Sequence, residues 1–443
     1  MNTEDVKRYA VEVLRFWTDT KGLTAEEIGD GNINYVFRIR SEEDGRSLIV
    51  KQADSRIRTS GNPLDIGRNR IEAALLKFEG ELAPGYVPVV YYYDEIMAAT
   101  SMEDVSAFKN LRKELMAGRV YGHLAENLSS FVADTLLPTT DLVIDAVDKK
   151  KRVSFFTNPQ LCRITEDLVL TEPYYDYKGR NILTPGNEDF VKKELYDDGP
   201  LHAEVGMLRE AFMNHAQALL HGDLHTGSVF ANETGIRVLD PEFGFYGPIG
   251  YDIGNVIANL FFALAYHTFA VTGGDAAGNA VGAGGSAENA GNAAGTGTAA
   301  AGETAGNAIE AGAAAAGETA TAPGSDAAER LNDTIEAFCD LTAVKLRKKY
   351  DEIVSFPFYR EPAFEDRYLE GILSDTYGYA GTEIIRRTVG DSKVAELNTV
   401  TDPTVKIPME RALIRLGKQL ILRRGEIRCG AEAIKLFKDS IIT

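Results

Sequence analysis

Two short stretches of this 443-residue chain carry side chains whose types and spacing could do chemistry. In "HGDLHTGSVF", residues 221–230, Asp223 stands between His221 and His225, and a small polar turn leads into an apolar pair. In "IRVLDPEFGFYGP", Asp240 ends a short β-type run and Glu242 follows two residues on. A loop carboxylate can orient a hydroxyl group and accept its proton. Carboxylates at a strand end suit a hard divalent ion that bridges phosphate oxygens. Together they fit phosphoryl transfer to a hydroxyl, with Asp223 as base and Asp240 and Glu242 as metal ligands. The plainer alternative is two unrelated loop aspartates. His221 and His225 read as loop anchors without acid–base work, and six histidines with no HExxH motif do not indicate a zinc hydrolase.

Phosphoryl transfer also needs groups that hold a nucleotide, and the N-terminal quarter offers them. "GDGNINYVF" is a turn between strands in which Gly29, Gly31 and Asn32 would let backbone N–H groups approach phosphate oxygens. It has neither GxGxxG nor Walker spacing, and an ordinary hairpin turn explains it equally well. Lys51 ends the apolar run "SLIVK", and Glu72 lies on the next helical stretch. A strand lysine on nucleotide phosphates, held by a helix glutamate, is the arrangement of protein kinases. A surface lysine and a surface glutamate are the alternative.

The elements that must position these residues fall into two parts. Residues 5–18 carry helical periodicity through Val6, Tyr9, Ala10, Val13, Leu14 and Trp17. Alternation from "AEEIGDGNINYVFRIR" through "SLIVKQA" predicts two or three antiparallel strands, which outweigh a chance capping-box match at Thr24 and Glu27. "NRIEAALLKFEGEL" predicts a helix, and "YVPVVYYYDEIMAATSMEDVS" two more strands. From Ala107 the chain reads as mainly helical, including "AFKNLRKELMAG", "HLAENLSSFVADTLL" and the stretch through "LLHG", while Asp252 reads as a helix N-cap. The expected fold class is α+β and bilobal: a small antiparallel-sheet N-lobe over residues 1–105 and a larger α-rich C-lobe over 106–443. Within the latter, 273–325 is an Ala/Gly-rich insertion too poor in large apolar residues to offset its ordering entropy, and disorder is expected there.

A formal net charge of −19 argues against a nucleic acid partner, whose binding needs clustered cations, yet leaves room for an anionic small molecule in a cleft. Cys162, Cys339 and Cys429 are far apart and show no ligand spacing, as suits a reducing cytoplasm. "MNTEDVKRYAVEVLRFW" lacks a signal-peptide apolar core, and "VIANLFFALAYHTFAV" reads as a buried helix, so no membrane partner is expected.

Through "HGDLH" and the later strand aspartate the chain resembles the aminoglycoside-phosphotransferase and choline-kinase branch of the protein-kinase-like fold, with Ser228 where that branch commonly has Asn. "HGDLHTGS", then "DPEF.FYGP.GYDIGN", with "GDGN.N.VF" ahead and "IIRRTVG" behind, is similar more narrowly to the S-methyl-5-thioribose kinase family of methionine salvage. That resemblance implies ATP as phosphoryl donor, Mg²⁺, a small sugar acceptor phosphorylated at its anomeric hydroxyl, and a homodimer in the cytoplasm. It implies Lys51 on the nucleotide phosphates and backbone around Met102, Glu103 and Val105 on adenine. It also places Arg386 and Arg387 on the substrate and the transferred group, where forked guanidinium hydrogen bonds stabilise developing charge. A salt-bridged helix face is the alternative for that pair. Other alcohols (an aminoglycoside, choline or homoserine) and a nucleotide-binding pseudokinase remain the rival readings. The insertion is a departure from the family.

Overall fold

The alternation after Leu23 becomes a five-stranded antiparallel sheet in the structure, a computed structural model that describes residues 1–28, 34–56, 63–271 and 324–442. Its strands are β1 (Leu23–Glu27), β2 (Asn34–Ser41), β3 (Ser47–Ala53), β4 (Val90–Asp94) and β5 (Ala99–Met102), in spatial order β1-β2-β3-β5-β4. Thr24 and Glu27 are strand residues, as the alternation requires. In the central strand successive side chains enter different cores: Leu48 and Val50 join Phe37 and Ile39 on one face, whereas Ile49 joins Val36 and Met102 on the other. Burial on both faces explains why "SLIV" is continuously apolar rather than alternating. Lys51, two residues after Ile49, therefore points to the second face.

The first face is covered by α1 (Thr3–Glu12), which buries Val6, Tyr9 and Ala10 and starts with a capping box between Asn2 and Asp5. The helix stops at Glu12, short of the expected Thr18. Arg15 takes a left-handed conformation (φ 52°), the chain turns, and Trp17 reaches the same core from outside the helix. The second face holds α2 (Gly67–Leu82), which buries Glu72 along with Leu75 and Leu76.

The C-terminal part is α-rich. It begins with β6 (Lys109–Asn110), α3 (Leu111–Met116), α4 (Leu124–Leu136), α5 (Ala146–Phe155), α6 (Pro159–Leu168), α7 (Glu172–Tyr175), α8 (Glu188–Val191) and α9 (Gly199–Asn214). The helix expected over 107–118 is reduced to α3, because Lys109 and Asn110 pair with β8 (Val229–Asn232) and the Asn110 side chain caps α3 itself. The "LLHG" stretch is likewise a strand end and turn. β7 (Ala218–Leu220) pairs with β10 (Phe245–Gly247), and β8 lies between β6 and β9 (Gly235–Val238). These two small sheets frame the loop around Asp223.

Behind them lies α10 (Gly250–Tyr266), rich in apolar residues and buried along nearly its whole length. Extended to Val271, it is long and apolar enough to cross a bilayer, but 78% of its most apolar window lies inside the protein, as befits a core helix. α11 (Gly324–Ile353), α12 (Pro362–Val389), α13 (Ala395–Asn398), α14 (Pro403–Leu422) and α15 (Gly430–Ile442) complete the lobe. A Cβ on Gly254 would lie 2.7 Å from the Ala380 backbone nitrogen, and one on Gly381 would lie 2.4 Å from the Gly417 carbonyl oxygen. These contacts let α10, α12 and α14 approach backbone to backbone and so fix the C-terminal end of α12. The expected insertion, 273–325, lies outside the described residues apart from its last two, with which α11 opens.

Candidate active site

After β7 the chain turns through Gly222 at φ +81°, where a Cβ would stand 2.3 Å from the Phe243 carbonyl oxygen. Glycine alone meets both conditions, and it presses the 221–223 turn against the segment that carries Asp240 and Glu242. His221 ties the two together: its Nε2 donates to the Leu239 carbonyl (2.8 Å), and its Nδ1 accepts the Asp223 N–H (3.3 Å). Burial lowers its pKa to about 4, so the ring is a neutral anchor. Asp252 does more than the expected N-cap. Ile249 occupies the cap position of α10, and the Asp252 carboxylate reaches back to accept the N–H groups of His221 (2.7 Å) and Gly222 (3.0 Å). It is buried, which pushes its pKa up to about 7.

Asp223 is held by this turn with its side chain 18% exposed. Burial pushes its carboxyl up to about 7, against the pull of Arg387 and Arg386, with Glu383 and Glu242 adding to the rise. It lines a narrow cleft with Ile164 and Leu168 of α6, Tyr251 of α10 and Arg386 of α12. The arginine pair forms the salt-bridged helix face that was the alternative for it. Glu383, one turn earlier, accepts from Arg386 Nε (2.8 Å) and Arg387 Nε (2.9 Å), and Arg387 also donates to Ser392 Oγ (3.1 Å). This ion-paired face is buried, and Arg386 lines the cleft. Burial opposes the Glu383 charge, but the two guanidiniums outweigh it and hold the carboxyl below its usual range.

The second cluster joins the sheet to the helical lobe. Lys51 Nζ donates to Glu72 Oε1 (2.7 Å) and to Asp240 Oδ1 (2.5 Å), with Lys51 and Glu72 fully buried. Burial disfavours the lysine charge, yet Asp240 and Glu72 more than offset this and raise its pKa above the ordinary value. Burial pushes Glu72 up to about 7, and it raises Asp240 as well, while the nearby carboxylates add repulsion. Asp240 sits in left-handed backbone (φ 64°), an unusual conformation for a non-glycine residue and one that turns the chain directly into the Pro241–Phe243 helical turn. Glu242 accepts from Arg68 Nε (3.3 Å) and Asn34 Nδ2 (3.2 Å), and Arg68 in turn donates to Asn34 Oδ1 (2.9 Å).

Among the described residues no three His, Cys, Asp or Glu side chains form a metal-binding group by themselves. Two carboxylates that repel each other, completed by phosphate oxygens, are the donor set that suits Mg²⁺, so Asp240 and Glu242 fit such an ion. Met102 ends β5 opposite Ile49; Glu103 exchanges backbone and side-chain hydrogen bonds with Val89 (2.9 and 3.1 Å); Val105 is buried against Phe230 and Leu239. They form the connection between the sheet and the helices. Gly29, Gly31 and Asn32 lie outside the described residues.

The sequence-expected residues thus divide into two sets. Lys51, Glu72, Asp240 and Glu242 come together, as do Asp223, Arg386 and Arg387. Four supporting residues had escaped the sequence reading: Asn34, Arg68, Asp252 in its true role, and Glu383. Spacing could have found two of them, since Arg68 precedes Glu72 by one helical turn and Glu383 precedes the arginines by three and four residues.

A model of the phosphotransferase enzyme family matches residues 171–287. A methylthioribose kinase of Bacillus pumilus is 33% identical over 426 residues, 96% of this chain and 93% of that protein. Another, of Exiguobacterium sibiricum, is 36% identical over 410 residues, covering 92% and 90% of the two chains. Among solved structures, an ethanolamine kinase of Plasmodium vivax covers 98% of this chain and 89% of its own at 8% identity and a TM-score of 0.44. The geometry is that of a bilobal small-molecule kinase, and with 33–36% of aligned residues shared over more than nine-tenths of its length, the chain belongs to the methylthioribose kinase family.

Proposed function

We propose that this enzyme transfers the γ-phosphoryl group of ATP to the anomeric hydroxyl of S-methyl-5-thioribose, giving S-methyl-5-thioribose 1-phosphate and ADP. The observation that carries this reading is that Asp223 and Arg386 line one cleft, with the Lys51–Asp240 cluster beside the same turn. Asp223 accepts the proton of the sugar hydroxyl as that oxygen bonds to the γ-phosphorus, and the bond from phosphorus to the bridging oxygen breaks to release ADP. Arg386 and Arg387 stabilise charge on the equatorial phosphoryl oxygens. Lys51, oriented by Glu72, holds the nucleotide phosphates. Gly29, Gly31 and Asn32 are assigned to the nucleotide phosphates from the sequence alone, and the Met102–Val105 connection meets adenine. Mg²⁺ held by Asp240 and Glu242 would neutralise charge on the phosphate oxygens.

The same reading places the lobes at 1–105 and 106–443, treats 273–325 as an insertion outside the chemistry, and takes the working form as a cytoplasmic homodimer. The test is ADP release by purified protein with Mg²⁺ and ATP, offered methylthioribose beside choline, homoserine and an aminoglycoside. Release with methylthioribose alone is expected. Release with another acceptor would overturn the substrate but leave phosphoryl transfer in place. Asp223→Asn should lower kcat about a thousandfold with ATP affinity nearly unchanged, and near-native turnover in that variant would remove Asp223 as the base.

A further inference from the structure

His225 is bound into the catalytic turn in a way that its role as a loop anchor does not exhaust. The ring is buried, and Gly227 makes room for it: a Cβ there would stand 2.8 Å from His225 Cε1. The Ser228 backbone N–H, shared with the His225 carbonyl oxygen (2.9 Å), points at Nδ1 from 3.0 Å. A backbone amide can only donate, so Nδ1 carries the lone pair and, in a neutral ring, Nε2 carries the proton. Ser228 Oγ lies 3.2 Å from the same Nδ1 and 3.1 Å from the Asp223 carbonyl oxygen, which fixes the ring against the backbone of the residue it faces. Nε2 is buried and makes no hydrogen bond, and Asp223 Oδ2 stands 3.5 Å from it.

We infer that His225 is a positioning residue for Asp223: its Nε2–H closes onto Oδ2 when substrate settles in the cleft, engaging one carboxylate oxygen and leaving the other to the acceptor hydroxyl. Apo separations of this size commonly tighten in the substrate complex. The ring stays neutral because it is buried among like charges, Arg112 from α3 and Arg387 and Arg386 from α12, with neutral His221 also nearby. It therefore donates a hydrogen bond and exchanges no proton. The groups that also face Asp223 are Arg386, Arg387 and Glu383 from α12, Glu242 from the 240–242 turn, and Tyr251 and Asp252 from α10. The inference rests on Asp223 being the base.

His225→Asn and His225→Gln separate positioning from packing. Asn places an acceptor where Nδ1 was and removes the Nε2 donor; Gln reaches the Nε2 position with an amide donor. The Asn variant should lose about tenfold in kcat with KM for ATP unchanged, and the acid limb of its kcat/KM profile should move up by about half a pH unit as the ionised carboxylate loses a donor. The Gln variant should stay within about threefold of the native enzyme with the limb in place. Equal behaviour of the two variants, or a limb that does not move in Asn, would overturn the inference. A measurement on the native protein needs no variant to fold: ¹⁵N NMR of labelled histidine should show His225 as the neutral Nε2–H form through the neutral pH range, and an Nδ1–H form or a titrating ring would refute the assignment. An active Asp223→Asn enzyme would sink the base itself. An inactive one beside an unshifted His225→Asn profile would sink only the positioning role.

Discussion

The two charged clusters of the site are built on different plans. Around Lys51, three carboxylates (Glu72, Asp240 and Glu242) meet two cations (Lys51 and Arg68), and the partners come from β3, α2 and the turn after β9. Around Asp223, that residue and Glu383 meet Arg386 and Arg387, so charges balance, and three of the four stand within one turn of α12. The first cluster exists only where sheet and helical lobe adjoin, and it holds one carboxylate more than it holds cations. The second is complete in itself, with Glu383 accepting from both guanidiniums. A nucleotide arriving with its metal ion suits the former; a phosphoryl group passing between them suits the latter.

If that contrast holds, removing one charge should hurt the inter-lobe cluster more. Lys51→Met takes out a group that touches both Glu72 and Asp240, leaving two buried carboxylates without it. The expected result is a loss of roughly a thousandfold in kcat/KM for ATP, together with a lower melting temperature, since breaking a buried ion pair by removing one partner costs about 3–5 kcal/mol. Steady-state kinetics and calorimetry on one preparation read both. A loss confined to the acceptor's KM would mean that the two clusters are not divided between substrates as described.

Glu383→Gln probes the self-contained cluster and should do less. Gln keeps an acceptor for only one of the two arginines and points its amide at the other while the negative charge goes, so kcat should fall by about tenfold through their misplacement, with KM for ATP unchanged. The pH profile has a definite sign. The carboxyl of Asp223 is pushed up to about 7, mainly by burial, and Glu383 contributes to that rise. The native enzyme should therefore gain kcat/KM as pH climbs to about 7, and the Gln variant should reach its plateau at lower pH. A limb that stays put would separate Glu383 from Asp223 electrostatically and leave only the geometric part of the comparison.

The clusters also differ in how far they could be read from sequence. Lys51 and Glu72 come in the right order on a strand and the next helix, and Asp223, Asp240 and Glu242 sit in short motifs whose chemistry is local. Pattern sufficed there. It did not reveal that Glu242 leans on Arg68 and Asn34, because those contacts span 174 and 208 residues of chain. Helix boundaries failed for a similar reason. The apolar stripe of 5–18 is continuous in sequence, but Trp17 meets the α1 core after a left-handed turn at Arg15, which periodicity does not encode. Lys109 and Asn110 read as helix until pairing with β8 claims them.

Asp252 is the instructive middle case, and it makes the smallest and most discriminating test of the comparison. Its position before an apolar helix suggests a cap, whereas its two oxygens hold the backbone of His221 and Gly222, so it supports the turn of Asp223 from behind without touching the chemistry. Asn can accept only one of those N–H groups and must point its own amide at the other. Asp252→Asn should lower stability by about 1–3 kcal/mol and kcat by only a few-fold, leaving the Lys51 cluster and ATP affinity alone. The folded-state pKa of Asp252 is raised to about 7 from 3.8, so its contribution to stability is full below the unfolded value and falls as pH rises through the folded one. The deficit of the Asn variant relative to the native protein should accordingly narrow between about pH 5 and about pH 8. Chemical denaturation at both ends of that range measures it. A deficit that widened with pH would mean the ionised carboxylate is the favoured form, and that the loop is held by charge where burial now predicts a largely neutral acceptor.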